Sequence, residues 1–179
     1  MSTRAMVGIR NNDDTITYIY NHYDGHPSEV GLTLHQHYKI EQQVRELIAF
    51  GNTRRVEPVP YDMIGKLADT MGTDRLSGLM NRIGAPAYKR LSDTYMEPLD
   101  GGAETTDAVS FERLLNDGID WLYLFDPDST PASRRWWVKR AGWAWIALPD
   151  AVGMYANSMA VKANRSRLSE RAAECGIEL

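Results

Sequence analysis

Strand-like segments stand at both ends of this 179-residue chain, and they constrain its fold more than any other feature. Near the start, RAMVGIR and TITYIYNHY are rich in β-branched and aromatic residues and are separated by the polar turn NNDD. This pattern predicts a β-hairpin. Near the end, IDWLYLFD, RRWWVKR and GWAWIAL have a similar composition and contain all five tryptophans. The two ends therefore predict one antiparallel or mixed sheet to which both contribute.

Helical patterns fill much of the chain between these segments. After the corner DGHPS, apolar residues recur on one side of a helical wheel from Ser28 to about Phe50, which predicts one continuous helix. Short helices are predicted within 53–118, a region that could form an inserted helical lobe, and Asp150 could cap a last helix that ends at Gly176. Together these elements predict an α+β fold in which helices cover the sheet.

Length and composition predict a single domain, 1–179, because 43% hydrophobic residues are enough for one core. The net charge of −4 is too small to predict a nucleic-acid partner. The only cysteine, Cys175, allows neither an intramolecular disulfide nor a cysteine-rich zinc site. Because no signal peptide and no apolar run of about 20 residues is present, we expect a cytoplasmic protein of a bacterial host cell with no membrane partner.

All four histidines lie in the segment YNHYDGHPSEVGLTLHQHY, at positions 22, 26, 35 and 37. Such a cluster contains ligands suited to zinc or nickel, with Asp24 between the first two histidines. His35 and His37, however, are two residues apart on a predicted helix and so diverge by about 200°. This geometry argues against a four-histidine site, and we expect neither a metal nor a cofactor.

An acid–base pair is a second interpretation of the same segment. His37 and Glu41 are four residues apart on the predicted helix, so their side chains could meet as a base and its orienting carboxylate. With His22 and Asp24 they form the set of candidate catalytic residues. A buried histidine satisfied by a neighbour would give the same pattern. No P-loop, nucleophile elbow, dinucleotide fingerprint or kinase motif accompanies them, so the sequence leaves enzymatic activity open without favouring it.

Aromatic and basic residues of the last third are candidate binding residues, namely Arg134, Arg135, Trp136 and Trp137. Tryptophan and arginine often anchor protein interfaces, and aromatic rings can stack on nucleobases. Adjacent residues of a strand point to opposite faces, so the two tryptophans cannot share a core layer. The basic residues of KANRSRLSER spread around a helix as on an ordinary solvated face, and nucleic acid is therefore possible but not favoured as a partner.

Three motifs of the first forty residues match a recurrent pattern. The pattern is a Ser-x-Arg-x-x-Ile-Gly strand, an Ile-Tyr-x-His-x-Asp-Gly-Tyr-Pro turn and a Val-Gly-x-x-Leu helix that ends in His-Tyr. It resembles the start of small phage and prophage accessory proteins. Position 26 departs from it, with histidine where the pattern has tyrosine. The matching positions here are Ser2, Arg4, Gly8, Tyr20, His22, Asp24, Gly25, Pro27, Val30, Gly31, His37 and Tyr38.

This resemblance implies a viral origin and no particular chemistry. Many small phage accessory proteins act on the host, and some inhibit bacterial immunity, as anti-CRISPR proteins do. We therefore expect a non-catalytic protein that binds and inhibits a host protein or ribonucleoprotein defence complex. A small hydrolase or a nucleotide-sequestering protein that uses the region of His22, Asp24, His37 and Glu41 is the alternative.

Overall fold

The computed structural model describes residues 3–57, residue 75, residues 99–156 and residues 165–177. Most of the helices predicted within 53–118 lie outside the described residues. The inserted helical lobe predicted for the same region lies outside them as well. None of the described helices is long and apolar enough to cross a membrane.

One mixed sheet of six strands organises the described chain, and its order is β3-β2-β1-β4-β5-β6. The central pair, β1 and β4, is parallel, and all the other neighbours are antiparallel. This arrangement confirms an α+β fold whose sheet comes from the N-terminal hairpin and the tryptophan-rich strands. The strands are β1 (Ala5–Arg10), β2 (Ile16–Asn21), β3 (Glu104–Thr106), β4 (Trp121–Phe125), β5 (Trp136–Lys139) and β6 (Ile146–Ala147).

Helices cover both faces of this sheet. Four of the five described helices, all but the third, pack their apolar residues on one face in the larger core cluster. Val7 of β1 and Tyr123 of β4 are neighbours on this face. The third helix covers the other face through Phe111, which packs with Tyr18 and Leu122. The helices are α1 (Leu32–His37), α2 (Glu41–Phe50), α3 (Ala108–Arg113), α4 (Leu148–Ala156) and α5 (Arg165–Glu174).

The continuous helix predicted from Ser28 to Phe50 is wrong, because the chain leaves the helical path between α1 and α2. A π-helical turn, Pro27–Gly31, precedes α1. At Tyr38 the backbone takes φ −118° and ψ 68°, and at Ile40 it is extended. The side-chain oxygen of Gln43 accepts hydrogen bonds from the N–H groups of Lys39 at 3.0 Å and Ile40 at 3.4 Å. These bonds give partners to backbone N–H groups that have none at the start of a helix. They therefore mark α2 as a separate helix with its own N-terminal cap.

The break is also stabilised from the sheet. Tyr38 is buried, and its carbonyl accepts a hydrogen bond of 2.7 Å from the indole Nε1 of Trp136 in β5. A tryptophan buried in an apolar core needs an acceptor for its N–H group. A carbonyl that continued a helix would be occupied by its own helix, so the break frees the acceptor that Trp136 requires.

The corner after β2 packs tightly against the start of β1. The N–H group of Gly25 donates to the carbonyl of Thr3 at 2.9 Å, and the hydroxyl of Tyr123 donates to the carbonyl of Gly25 at 2.8 Å. A Cβ atom at position 25 would lie 2.9 Å from the Cβ of Ala5 and 2.9 Å from the carbonyl oxygen of Thr3. The corner therefore requires glycine for its close approach to β1.

We predict that Gly25→Ala lowers the free energy of unfolding by about 1–3 kcal/mol, because the added methyl forces the corner away from β1. Urea denaturation followed by circular dichroism measures the change. Gly102→Ala is the matched control, since a Cβ there has no neighbour within 4 Å. Its effect should stay within about 0.5 kcal/mol. Equal effects of the two substitutions would contradict this account of the corner.

Candidate functional site

The four histidines divide between two opposite edges of the sheet. His22 and His26 lie at the edge where β1 and β4 begin, which we call the strand-start edge; it comprises Arg4, residues 22–26, Asp120 and Arg140. His35 and His37 form the last turn of α1, beside the edge where β4 ends and β5 begins, the strand-end edge. The strand between these edges spans about 13 Å. The structure therefore does not bring His22 and His37 together.

At the strand-start edge, His22 and Asp24 are each held by neighbours. Nδ1 of His22 lies 2.7 Å from the hydroxyl of Tyr20, and its ring meets the ring of Tyr23 edge-on at a centroid distance of 4.4 Å. Asp24 has a left-handed backbone with φ 56°, and its carboxylate forms an ion pair with Arg55. A short polar side chain tolerates this backbone region better than most residues. Both residues thus build a fixed turn.

His26 connects the turn to α4. Its Nε2 lies 2.7 Å from the hydroxyl of Thr3, and its Nδ1 lies 2.9 Å from the hydroxyl of Tyr155. Burial lowers the pKa of His26, although the negative charge of Asp24 acts in the opposite direction. A neutral imidazole can donate to one hydroxyl and accept from the other, so these contacts suit an uncharged structural histidine.

The acid–base pair predicted for His37 and Glu41 requires one continuous helix, but α1 ends at His37 and Glu41 begins α2. Glu41 is exposed in the first turn of α2, and its carboxylate accepts a hydrogen bond from Nε of Arg45 at 2.7 Å. His37 is half-buried, and burial lowers its pKa, as does the nearby charge of Lys39. The prediction that His37 and Glu41 are four residues apart on one helix is therefore wrong. Among the described residues, moreover, no group of three or more histidine, cysteine or acidic side chains could hold a metal ion.

The predicted binding residues have four different environments. Trp136 is only 3% exposed and packs on Phe125 at 5.2 Å, so it is a core residue and not a surface anchor. Trp137 lies half-buried on the opposite face, as predicted, and its Nε1 donates to Ser129 Oγ at 3.0 Å. Arg134 is exposed and pairs with Asp150 at 3.4 Å. Arg135 is half-buried, and in the part of the chain that is described its Nε has no hydrogen-bond partner.

Sequence reasoning missed an aromatic and cationic cluster at the strand-start edge. The guanidinium of Arg140 lies 5.2 Å from the ring centre of Trp121 and 5.5 Å from that of Trp143. Trp121 also meets Tyr155 edge-on at 6.1 Å. Two exposed apolar side chains lie in neighbouring segments, namely Tyr23 at 41% in the turn after β2 and Met154 at 52%, next to Tyr155 in α4. Only the proximity of arginine to tryptophan in RAGW could have suggested part of this cluster.

A cavity of about 320 Å³ opens at the strand-end edge, between the end of α1 and the start of β5. The described residues that line it are basic or apolar, and none of them is acidic. Burial lowers the pKa of His35, and the charge of Lys39 lowers it further. The residues that give the cavity this character are His35, Lys39, Ile40, Phe125, Arg135 and Trp136.

Comparison with known proteins identifies no relative. No protein-family model matches the chain, and no match was found among curated proteins or solved structures. The resemblance to phage accessory proteins therefore stays a prediction. In the described residues two places stand out: the strand-start edge presents aromatic and cationic side chains, and the strand-end edge contains a basic cavity.

We predict that the melting temperature falls as the pH is lowered from about 7.5 to about 5.5. Burial lowers the folded-state pKa of His26, His35 and His37 below the ordinary value of 6.5, so the unfolded chain binds protons first as the pH falls. The contribution of these neutral histidines to the free energy of unfolding is therefore fully present above about pH 6.5 and decreases as the pH falls below that value. Calorimetry across this window measures the trend, which His26→Gln should make shallower. A melting temperature that is constant or rises with acidification would contradict the prediction.

Proposed function

We propose that this chain is a non-catalytic binding protein of phage origin that inhibits a host defence complex, and that it binds through the strand-start edge. One observation carries the proposal: the strand-start edge presents exposed Tyr23, which is held against His22, and exposed Arg140, whose guanidinium lies 5.5 Å from the ring centre of half-buried Trp143. Tyrosine, tryptophan and arginine are the residue types that contribute most to the binding energy of protein interfaces.

The candidate catalytic residues argue for binding over catalysis. General acid–base catalysis needs a base and its orienting group within hydrogen-bond reach of each other and of one substrate position. His22 and Asp24 belong to the strand-start edge, whereas His37 lies near the strand-end edge, and Glu41 pairs with Arg45. The hydrolase alternative therefore lacks the convergence that it requires.

Rigidity favours the strand-start edge as a binding surface. The turn around Tyr23 is fixed to the rest of the chain by a 2.7 Å hydrogen bond from its N–H group to the carbonyl of Arg54 and by the ion pair of Asp24 with Arg55. Side chains that are ordered before binding lose less entropy when a partner is bound. The resemblance supports the same edge, because four of its matching positions, Arg4, His22, Asp24 and Gly25, lie there.

We expect the chain, expressed in a panel of bacterial strains that each carry one defined defence system, to restore plaque formation by a phage that one system restricts. The purified chain should then bind a subunit of that system. Tyr23→Ala should weaken this binding at least about tenfold, because it removes an exposed aromatic anchor. Biolayer interferometry with the purified complex measures the affinity.

Val109→Ala is the matched control, since Val109 is 61% exposed on α3, which begins just after Thr106, and Thr106 pairs with Ile16 at the end of β2 that is far from His22 and Tyr23. It should bind as the unchanged chain does. Restored plaque formation without binding to any subunit would refute inhibition by occupancy. Equal affinities of the Tyr23→Ala and Val109→Ala variants would refute the assignment of the surface, and failure to antagonise every system would refute a defence complex as the target.

A further inference from the structure

We propose that the cavity at the strand-end edge binds a small organic phosphate with a flat apolar group, of about the size of a nucleoside monophosphate. This site goes beyond the proposed function, because it lies at the other edge of the sheet and requires no protein partner. Three properties of the cavity carry the inference: its uncompensated positive charge, its apolar walls and its volume.

The charge of the cavity lacks a counterpart. Lys39 and Arg135 line it, none of the described lining residues is acidic, and in the described chain Nε of Arg135 is buried with no hydrogen-bond partner. A buried donor without a partner is costly, as is a cluster of positive charges without an anion. A phosphate dianion would satisfy both, since guanidinium and ammonium groups are common phosphate ligands.

Acidic side chains near this edge are paired with other arginines. Asp126, which follows β4, forms an ion pair with Arg10 at 3.9 Å, and Asp150 pairs with Arg134 at 3.4 Å. Among the described residues neither Arg135 nor Lys39 forms an ion pair, so both can meet an anion from solution. Such an anion would also favour the protonated form of His35, which burial disfavours in its absence.

The remaining wall is apolar and pre-formed. Ile40 is 50% exposed at the cavity, and the almost fully buried Phe125 and Trp136 complete the apolar lining. Trp136 is fixed by its hydrogen bond to Tyr38, and the segment of Lys39 and Ile40 is fixed by the side chain of Gln43. A site held in place by bonds to its own backbone needs little reorganisation to bind a ligand.

The volume limits the size of the ligand. About 320 Å³ is near the lower end of the range for small-molecule cavities. It suits one ring system with one phosphate, and it is too small for a dinucleotide. The three properties together define a ligand with a phosphate group for the basic residues and a flat group for the apolar wall.

Isothermal titration calorimetry of the full chain with AMP, adenosine and inorganic phosphate tests the site. We expect AMP to bind, inorganic phosphate to bind at least about tenfold more weakly, and adenosine to give no heat, since each fragment meets only part of the cavity. Arg135→Met should weaken AMP binding at least about tenfold. Arg134→Met is the matched control, because the neighbouring arginine pairs with Asp150 outside the cavity, and it should bind AMP normally.

A second variant tests the site independently in case Arg135→Met does not fold. Ala132 is exposed and also lines the cavity, so Ala132→Phe fills it from the solvent side and should abolish AMP binding without lowering the melting temperature. Tyr23→Ala should bind AMP normally, so the two proposals can fail separately. The inference is overturned if AMP does not bind at millimolar concentration, or if the folded Arg135→Met and Ala132→Phe variants bind it as tightly as the unchanged chain.

Discussion

The parallel pairing of β1 with β4 is the constraint on which the rest of the structure depends. It joins residues 5–9 to residues 121–125 and so brings the N-terminal hairpin and the tryptophan-rich strands into one sheet. Because both strands begin at the same edge, the segments that precede them and the corner after β2 meet there. Arg4 thereby comes next to Asp120, whose carboxylate accepts a hydrogen bond of 2.8 Å from the Arg4 N–H group. Each edge of the sheet is thus assembled from distant parts of the sequence.

Much of the fold could be predicted because strand alternation is a local signal. The hairpin and the tryptophan-rich strands follow from short patterns, whereas β3 reads ETT and contains no apolar residue that would mark a strand. The break between α1 and α2 could not be predicted from periodicity. Val44 and Leu47 stay in phase with the earlier apolar residues, and one cause of the break, Trp136, lies 98 residues from Tyr38 in sequence.

The sites were harder to predict than the fold, because their chemistry depends on contacts between distant segments. His22 and Asp24 could be recognised as parts of a turn, but Arg55, which pairs with Asp24, lies beyond the following two helices. Alternation indicated that Trp136 and Trp137 face opposite sides, yet it could not show which side α1 covers. The cavity combines the chain after α1 with the start of β5, and no local pattern connects Lys39 with Arg135.

The outer strands of the sheet are short in the part of the chain that is described. β3 has three residues and β6 has two, so each of these outermost strands offers few unpaired backbone groups to another chain. Short edge strands are a common protection against association between sheets. Recognition by strand addition would find little backbone to pair with here. A protein that bound the described part of this sheet would therefore recognise mainly side chains, which would make the association sensitive to single substitutions.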